Sequence, residues 1–571
     1  MSIRSRDNQK TSILNTSRFY RNLSTPALLI LTFLFFIPLV IVLSKAFIDE
    51  NNRVSFSVFI ELLKDPYILR VISFTIMQAA ISTIGALIIG LPGAYLLANY
   101  SFRGKRLIKA ISSIPFILPS ILVVLGFVIF YGNKGILNSL LVALFRLESP
   151  PIQILYTFSA IILAHTFYNF PIVLSIVSTF WAHMPRQTAL AAATLGASRR
   201  KVFTTITLPR LLPAIISASA LVFLFCFSSF AILLVLGGGP KFTTIEVEIY
   251  QRARMIGDVN GASALALISI IIALIILSLY LLTQQKMSNT EELESVMKID
   301  NTLREVKRGK HKIIVTLYTL FTSIFVLGPL FSIIHRSFFS QKSRSAPMSF
   351  TLDNYKKLFS STSRIDGVAL QSLFQSLIIA FIVAFISTMI GVMLSSRISS
   401  SKKKNQIGLE IFAMLPMAVS SVVLGLGYYI ISLFGSIGAS SSKIVLVILA
   451  HVVITSPFVL RSMLPSYRRI PFSYRQASLT LGATVKQTFF SIELPLLKGA
   501  IATSAAFAFA ISMGEVNATL VLADSSITTL PLVLYRLIGS YNFASACALG
   551  SLLMGICLLI FLSVELIKKE D

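Results

Sequence analysis

A chain that spent ATP would need a glycine-rich loop ending in lysine and then a hydroxyl residue. Backbone N–H groups of such a loop cradle the phosphates, and the hydroxyl holds magnesium. Gly104-Lys105 and Gly309-Lys310 come nearest, but Arg106 and His311 follow them. No nucleotide hydrolysis is therefore expected from this chain, and no catalytic residue is assigned. His165 and His451 lie in apolar stretches with no Cys, Asp or second His beside them in sequence. A metal site or a proton relay would want such neighbours, so each is expected to be a hydrogen-bonded histidine between helices. Cys226, Cys547 and Cys557 also lie in apolar runs and fit neither a disulfide framework nor a metal cluster. No metal or cofactor is expected. Glu515 differs, because it is an acid inside a late apolar stretch. An ionisable group at such a place is a functional hypothesis by default. It would line a pathway, hold a gate, or act as a hydrogen-bonded group at a bend beside Gly514. Its first-half counterpart is Ser229, so any such role is asymmetric.

The elements that must position these residues are membrane helices. Hydrophobic residues make up 55% of the 571 and charged residues 13%, about half the share usual in soluble proteins. Apolar runs approach the roughly 20 residues that a helix needs to cross a bilayer. A transmembrane barrel would instead show ~10-residue alternating segments. The formal charge of +27 resides mostly in short loops beside these runs. Arg103, Lys105, Arg106 and Lys109 share one loop; Arg186, Arg199, Arg200, Lys201 and Arg210 share another. Such loops stay cytoplasmic, and no basic patch interleaved with aromatics suggests nucleic acid.

Spans are expected near 23–46, 71–99, 107–132, 155–181, 211–236 and 262–284. A charged segment at 285–312 reads as a cytoplasmic linker. Six more spans follow near 313–336, 371–396, 407–434, 442–463, 499–523 and 543–567. The tails 1–22 and 568–571 are then both cytoplasmic, and the segments 47–70, 132–154, 237–261, 337–370 and 524–542 lie outside. Basic residues before the first span and the lack of a small-residue cleavage site after it argue for an uncleaved first span. Pro115, Pro119 and Pro416 are expected to kink spans, and Trp181 suits a membrane-interface belt.

The two halves repeat. Ala191-Ala192-Ala193-Thr194-Leu195-Gly196-Ala197 is followed by Ile206-Thr207-Leu208-Pro209. Ala477-Ser478-Leu479-Thr480-Leu481-Gly482-Ala483 is followed by Ile492-Glu493-Leu494-Pro495. The same 286-residue offset relates His165 to His451 and Pro171 to Pro457. Ile114-Pro115 through Gly126 resembles Leu415-Pro416 through Gly427, and Thr243-Thr244-Ile245 resembles Thr528-Thr529-Leu530. An even number of spans per repeat makes this a parallel duplication, with a pseudo-two-fold axis along the membrane normal. Each motif reads as helix, glycine reversal, helix, with the second helix (199–207 in the first copy) ending at the Leu-Pro pair. A polar hairpin repeated between spans either anchors the spans at the membrane surface or docks a soluble partner.

The spacing Ala-Ala, three residues, Gly, nine residues, Ile-x-Leu-Pro resembles the EAA signature of ABC importer permeases. The resemblance implies an all-α polytopic membrane protein of about 12 transmembrane helices, built as two tandem six-helix permease domains, 23–284 and 313–567. It further implies two cytoplasmic coupling loops, Ala191, Ala192, Gly196, Ile206, Leu208 and Pro209 in one, and Ala477, Ser478, Gly482, Ile492, Leu494 and Pro495 in the other. The partners implied are two copies of an ABC ATPase subunit and an extracytoplasmic substrate-binding protein, in the inner membrane. The leading glutamate of the signature is replaced by Leu190 and Gln476, which puts any salt bridge from that position in doubt. Gly90-Leu91-Pro92-Gly93-Ala94-Tyr95-Leu96-Leu97-Ala98 and Gly514-Glu515-Val516-Asn517-Ala518-Thr519 are also similar to the family.

The fused layout resembles the permeases for thiamine and for ferric iron. Leu236-Gly237-Gly238-Gly239-Pro240 with Thr243 through Tyr250, and Thr529 through Leu537, look more like the thiamine type. Iron, a polyamine and a phosphonate stay open as substrates. The rival classes are a twelve-span secondary transporter, which would want more buried charges, and a membrane protein with no transport role.

Overall fold

Helices dominate because apolar backbone inside a bilayer has no water to bond and must satisfy its own N–H and C=O groups. The computed structural model describes residues 3–48, 53–185, 187–237, 239–295, 304–305, 309–340, 349–359, 368–433, 440–524 and 526–569. Among these, ten helices are long and apolar enough to cross a membrane, or up to twelve if two bent pairs each count as one span. Expected spans recur as Pro66–Asn99, Phe158–His183, Val259–Ser295, Lys310–Phe338, Val368–Ser399, Ser440–Arg468 and Phe543–Lys569. The first span begins earlier than expected. Its helix runs Ile3–Ala46 and absorbs most of the expected tail 1–22. Residues 296–303 and 306–308 of the expected linker, and the tail end 570–571, lie outside the described residues. Arg304–Glu305 pairs in parallel with Tyr100–Ser101.

Four expected spans are interrupted rather than continuous. The segment 107–132 divides into Lys105–Ile117 and Ser120–Tyr131. Pro119 forces the residue before it out of helical geometry, and Leu118 is extended at φ −83°, ψ 143°. The segment 407–434 bends by 82° between Asn405–Ala418 and Ser421–Leu433, with Pro416 inside the short 3₁₀ turn at the bend. The late spans divide as Leu208–Phe227 and Ala231–Leu236, and as Lys498–Gly514 and Asn517–Leu522. Hydropathy averages over such breaks and does not see them. All five segments expected as outside connections also contain helices: Ser57–Lys64, Ile136–Phe145, Ile245–Gln251, Asp353–Phe359 and Leu530–Gly539. Ile245 through Tyr250 are buried, including Glu246 and Glu248.

The chain forms two compact units that do not follow the sequence halves. One comprises Met1–Asn52, Lys357–Arg536 and Leu552–Asp571, the other Arg53–Lys356 and Leu537–Ser551. In the first unit, Val368–Ser399 packs on Ser440–Arg468 and Lys498–Gly514, and the leading helix Ile3–Ala46 packs on Ser421–Leu433 and Val368–Ser399. In the second, Pro66–Asn99 packs on Phe158–His183, and Lys310–Phe338 packs on Ser120–Tyr131. So the opening helix of each half joins the unit built mainly from the other half.

Small residues let these helices approach closely, as membrane helix packing favours. A methyl group on Gly90 would lie 2.7 Å from Val173 Cβ, and one on Gly391 would lie 2.4 Å from Val459 Cγ1. The repeat therefore extends to its contacts. The same holds for Gly126, which faces Pro329 of its unit, and Gly427, which faces Pro38 of its own. The similarity of the two Val-Val-Leu-Gly stretches thus has a cause, since each glycine seats the proline of an exchanged opening helix.

Candidate coupling site

The first hairpin consists of the helix Gln187–Thr194, a reversal at Gly196, and the helical stretch from Arg199. The second consists of Phe472–Thr480, a reversal at Gly482, and the stretch from Val485. Both glycines adopt positive φ, +86° and +88°, where a Cβ is strained. Each reversal closes in the same way. Gly196 N–H bonds Ala193 O and Ala197 N–H bonds Ala192 O; Gly482 N–H bonds Leu479 O and Ala483 N–H bonds Ser478 O, all at 3.1 Å. This is a Schellman closure, which satisfies the last carbonyls of a helix. It explains the motif spacing, because the second small residue supplies the carbonyl that receives the longer bond. The next turn is capped by Ser198 Oγ, which accepts from Lys201 N at 3.3 Å, and by a Thr484–Gln487 capping box.

The Leu-Pro pairs do not stop the helices, contrary to the expectation. The backbone widens into π turns at Phe203–Thr207 and Phe489–Glu493 and continues into Leu208–Phe227 and Leu494–Leu496. Proline lacks an N–H and clashes with the carbonyl four residues back; the wider turn takes that carbonyl out of line. The second copy then bends by 69° before Lys498–Gly514, whereas Arg199–Phe227 is one candidate span.

The expected coupling residues divide alike in the two copies except at the second small residue. Ala191, Gly196 and Pro209 are exposed, as are Ala477, Gly482 and Pro495, while Ala192, Ile206, Leu208, Ile492 and Leu494 are half-buried and Ser478 is buried. Ser478 Oγ lies 2.9 Å from Thr488 Oγ1 and ties the two arms of the second hairpin. The tips carry Leu195 and Leu481, 89% and 87% exposed. Each tip thus presents an apolar side chain on a loop rich in basic residues.

The hairpins differ in how they are held. Glu493 is fully buried and accepts hydrogen bonds from Tyr20 Oη at 2.5 Å and from Tyr467 Oη, and it pairs with Arg475. The Arg475 guanidinium also lies 5.5 and 5.4 Å from the Tyr20 and Tyr467 rings. Removing one partner of such a buried pair costs about 3–5 kcal/mol. Sequence reading passed over this cluster. Its signal was Glu493, an acid in a motif copy whose other half has Thr207. The first hairpin is tied by Arg210 Nη1 to Thr188 Oγ1 at 3.3 Å, on the surface, and by Trp181 against Phe203.

Glu515 occupies the break of the last interrupted span. Its Oε1 accepts from Asn517 N at 2.9 Å and Ala518 N at 3.0 Å. It thereby caps the short helix Asn517–Leu522, where a carboxylate also meets the positive end of the helix dipole. His165 bonds Ser82 and Ser229, and His451 bonds Ser512 and Thr519. Both nitrogens of each ring are thus engaged by hydroxyls between helices, as expected. At the other end of Ser440–Arg468, Lys443 Nζ lies 2.6 Å from Asp524 Oδ2. Partial burial opposes ionisation of Asp524, but Lys443 and Ser526 outweigh it and hold the carboxyl at about 2.

The family described as the binding-protein-dependent transport system inner membrane component matches residues 86–289 and again 387–569. The chain belongs to this family. The two matches give the internal duplication independently of the motif spacing, and each contains one hairpin. The family is an inner-membrane transport component, and the secondary-transporter alternative draws no support from it. The thiamine transport system permease protein ThiP of Haemophilus influenzae is 25% identical over 89% of this permease and 90% of its own length. That of Escherichia coli is 28% identical over 88% and 89%. A putative 2-aminoethylphosphonate transport system permease protein, PhnU of Salmonella typhimurium, is 29% identical over 45% of this permease and 90% of its own length. One such relative thus corresponds to half of this permease. The ferric-iron alternative draws no support from these relatives.

Proposed function

We propose that this permease forms the translocation pathway of an ATP-driven importer for thiamine or its phosphates. The observation that carries the substrate is full-length similarity. Thiamine permeases from two organisms match both halves in one chain, over about nine-tenths of each protein. In this reading the permease domains span 23–284 and 313–567, the linker 285–312 and both termini are cytoplasmic, and a separate binding protein delivers substrate to the opposite face. ATP is hydrolysed by a partner, and the two hairpins seat one ATPase subunit each. Support for that seating comes from the paired Schellman reversals with their exposed leucines. Glu515 holds the break in the late span by capping Asn517–Leu522, and a carboxylate near that break suits a cationic substrate.

A cell lacking this chain is expected to lose high-affinity thiamine uptake while other vitamins enter normally. Unchanged thiamine uptake would reject the substrate, and loss of ferric-iron uptake instead would promote iron. The native mass of the purified complex is expected to fit one copy of this chain with two ATPase subunits. Two copies of the chain per ATPase pair would reject the assignment of one hairpin to each subunit.

A further inference from the structure

The cluster around Glu493 has a place in the fold that its chemistry alone does not require. Its four members come from four separate elements. Tyr20 lies on the leading helix Ile3–Ala46, Tyr467 in the last turns of Ser440–Arg468, Arg475 on the first arm of the second hairpin, and Glu493 in the π turn of its second arm. All four belong to one compact unit. Phe489, 3% exposed, packs against Phe19 and Tyr20 with ring centroids 6.0 and 6.3 Å apart. Both arms of the hairpin are therefore joined through one buried carboxylate to two long helices.

The geometry points to a latch: Tyr20, Tyr467, Arg475 and Glu493 position the second hairpin, so that it moves as one body with the leading helix. The carboxylate is what makes the joint stiff. A buried charge tolerates little displacement from its partners, because separating them leaves it unsolvated. Charge-assisted hydrogen bonds also fix direction more strictly than apolar contact. The first hairpin has no such group. The residues 286 positions earlier are Trp181, Ala189 and Thr207, and none of them can bear a charge. Its first arm, Gln187–Thr194, has no buried residue. The two seats are thus mechanically unequal. A push on the second passes directly to the leading helix, while a push on the first passes through its own continuous helix, Arg199–Phe227.

This inference rests on the reading of the hairpins as ATPase seats, and its test separates the two. The complex of this chain with its ATPase subunits is reconstituted in vesicles, and substrate taken up per ATP hydrolysed is measured. Three variants are compared with the unmodified chain. Tyr20→Phe removes one hydroxyl from the latch. Arg475→Leu with Glu493→Leu removes both charges together, which avoids leaving either one buried alone. Tyr428→Phe is the control, because its hydroxyl bonds Leu34 O of the same leading helix at 2.7 Å but lies away from the hairpin. Tyr20→Phe and the double variant are expected to assemble with the ATPase and to lower uptake per ATP several-fold, while Tyr428→Phe leaves the ratio unchanged. An unchanged ratio in the assembled double variant would overturn the latch. If that variant does not assemble, Tyr20→Phe decides alone, and an unchanged ratio there overturns it. A ratio lowered equally by Tyr428→Phe would also overturn it, since any loosening of the leading helix would then suffice. If the unmodified complex shows no substrate-stimulated hydrolysis, the seat reading itself is what fails.

Discussion

Tryptophan at Gly482, and separately at Gly196, is expected to abolish substrate-stimulated ATP hydrolysis and uptake while the chain still accumulates in the membrane. The expectation combines two facts about each position. The first is space, because a Cβ placed on either glycine meets nothing within 4 Å. The side chain therefore projects outward and does not wedge the fold. The second is conformation. Positive φ costs an L residue roughly 1–2 kcal/mol, which a large helical protein absorbs. What remains is steric obstruction of the exposed face that carries Leu195 or Leu481. Coupling free energies between sites are typically about 1–3 kcal/mol, or roughly 5–150-fold, so blocking one seat removes most of the stimulation. Alanine separates the two contributions. It pays the conformational cost without the bulk and should retain most activity. The measurement is uptake and stimulated hydrolysis in vesicles carrying each variant. Survival of both functions in both tryptophan variants would show that the hairpins do not transmit the stroke.

What could be read from the sequence was whatever depends on local pattern. The number and position of apolar stretches follow from hydropathy. The hairpins follow from Gly196, Gly482 and the spacing around them, and most of the half-buried and exposed positions repeat between copies. Breaks inside spans were harder. Pro119 and Pro416 announced kinks, but the break beside Glu515 has no proline, and the carboxylate that satisfies its freed N–H groups looked like a candidate gate. The Leu-Pro pairs misled in the opposite direction, because a π turn lets a helix pass a proline and leaves no compositional trace. The buried helix Ile245–Gln251 lies in a segment read only as an outside connection, from the order of spans and basic loops. In the fold Glu248 meets Tyr67 and Arg252, and Glu246 meets Ser269. The Glu248–Tyr67 pairing joins residues 181 positions apart. The contact of Tyr20 with Glu493 joins residues 473 positions apart, and no window along the chain contains both.

The exchange of opening helices was equally invisible, and it yields the largest expected effect on stability. Gly427→Leu should destabilise the protein strongly, and more than the same change at its counterpart Gly126. A methyl group at Gly427 would lie 2.7 Å from both Cβ and O of Pro38 and 2.9 Å from its C. Two of these atoms are backbone, so relief requires the leading helix to move bodily. Overpacking of this kind costs about 1–3 kcal/mol, occasionally more, and Leu adds three further carbons to the clash. Gly126 is the internal standard. It faces Pro329 with its nearest atoms at 3.1 Å, a tighter contact than usual but one that a few tenths of an ångström would relieve. Gly408 is the blank, with nothing within 4 Å. Alanine at the three positions should therefore lower the midpoint of thermal unfolding in detergent in the order Gly427, then Gly126, then Gly408, with the last close to the unmodified protein. The order follows from where the helices touch and not from residue type or hydropathy, which are alike at Gly126 and Gly427. Equal midpoints for Gly427→Ala and Gly408→Ala would mean that the leading helix is not seated on Ser421–Leu433. The latch at Tyr20, which depends on the same placement, would fall with it.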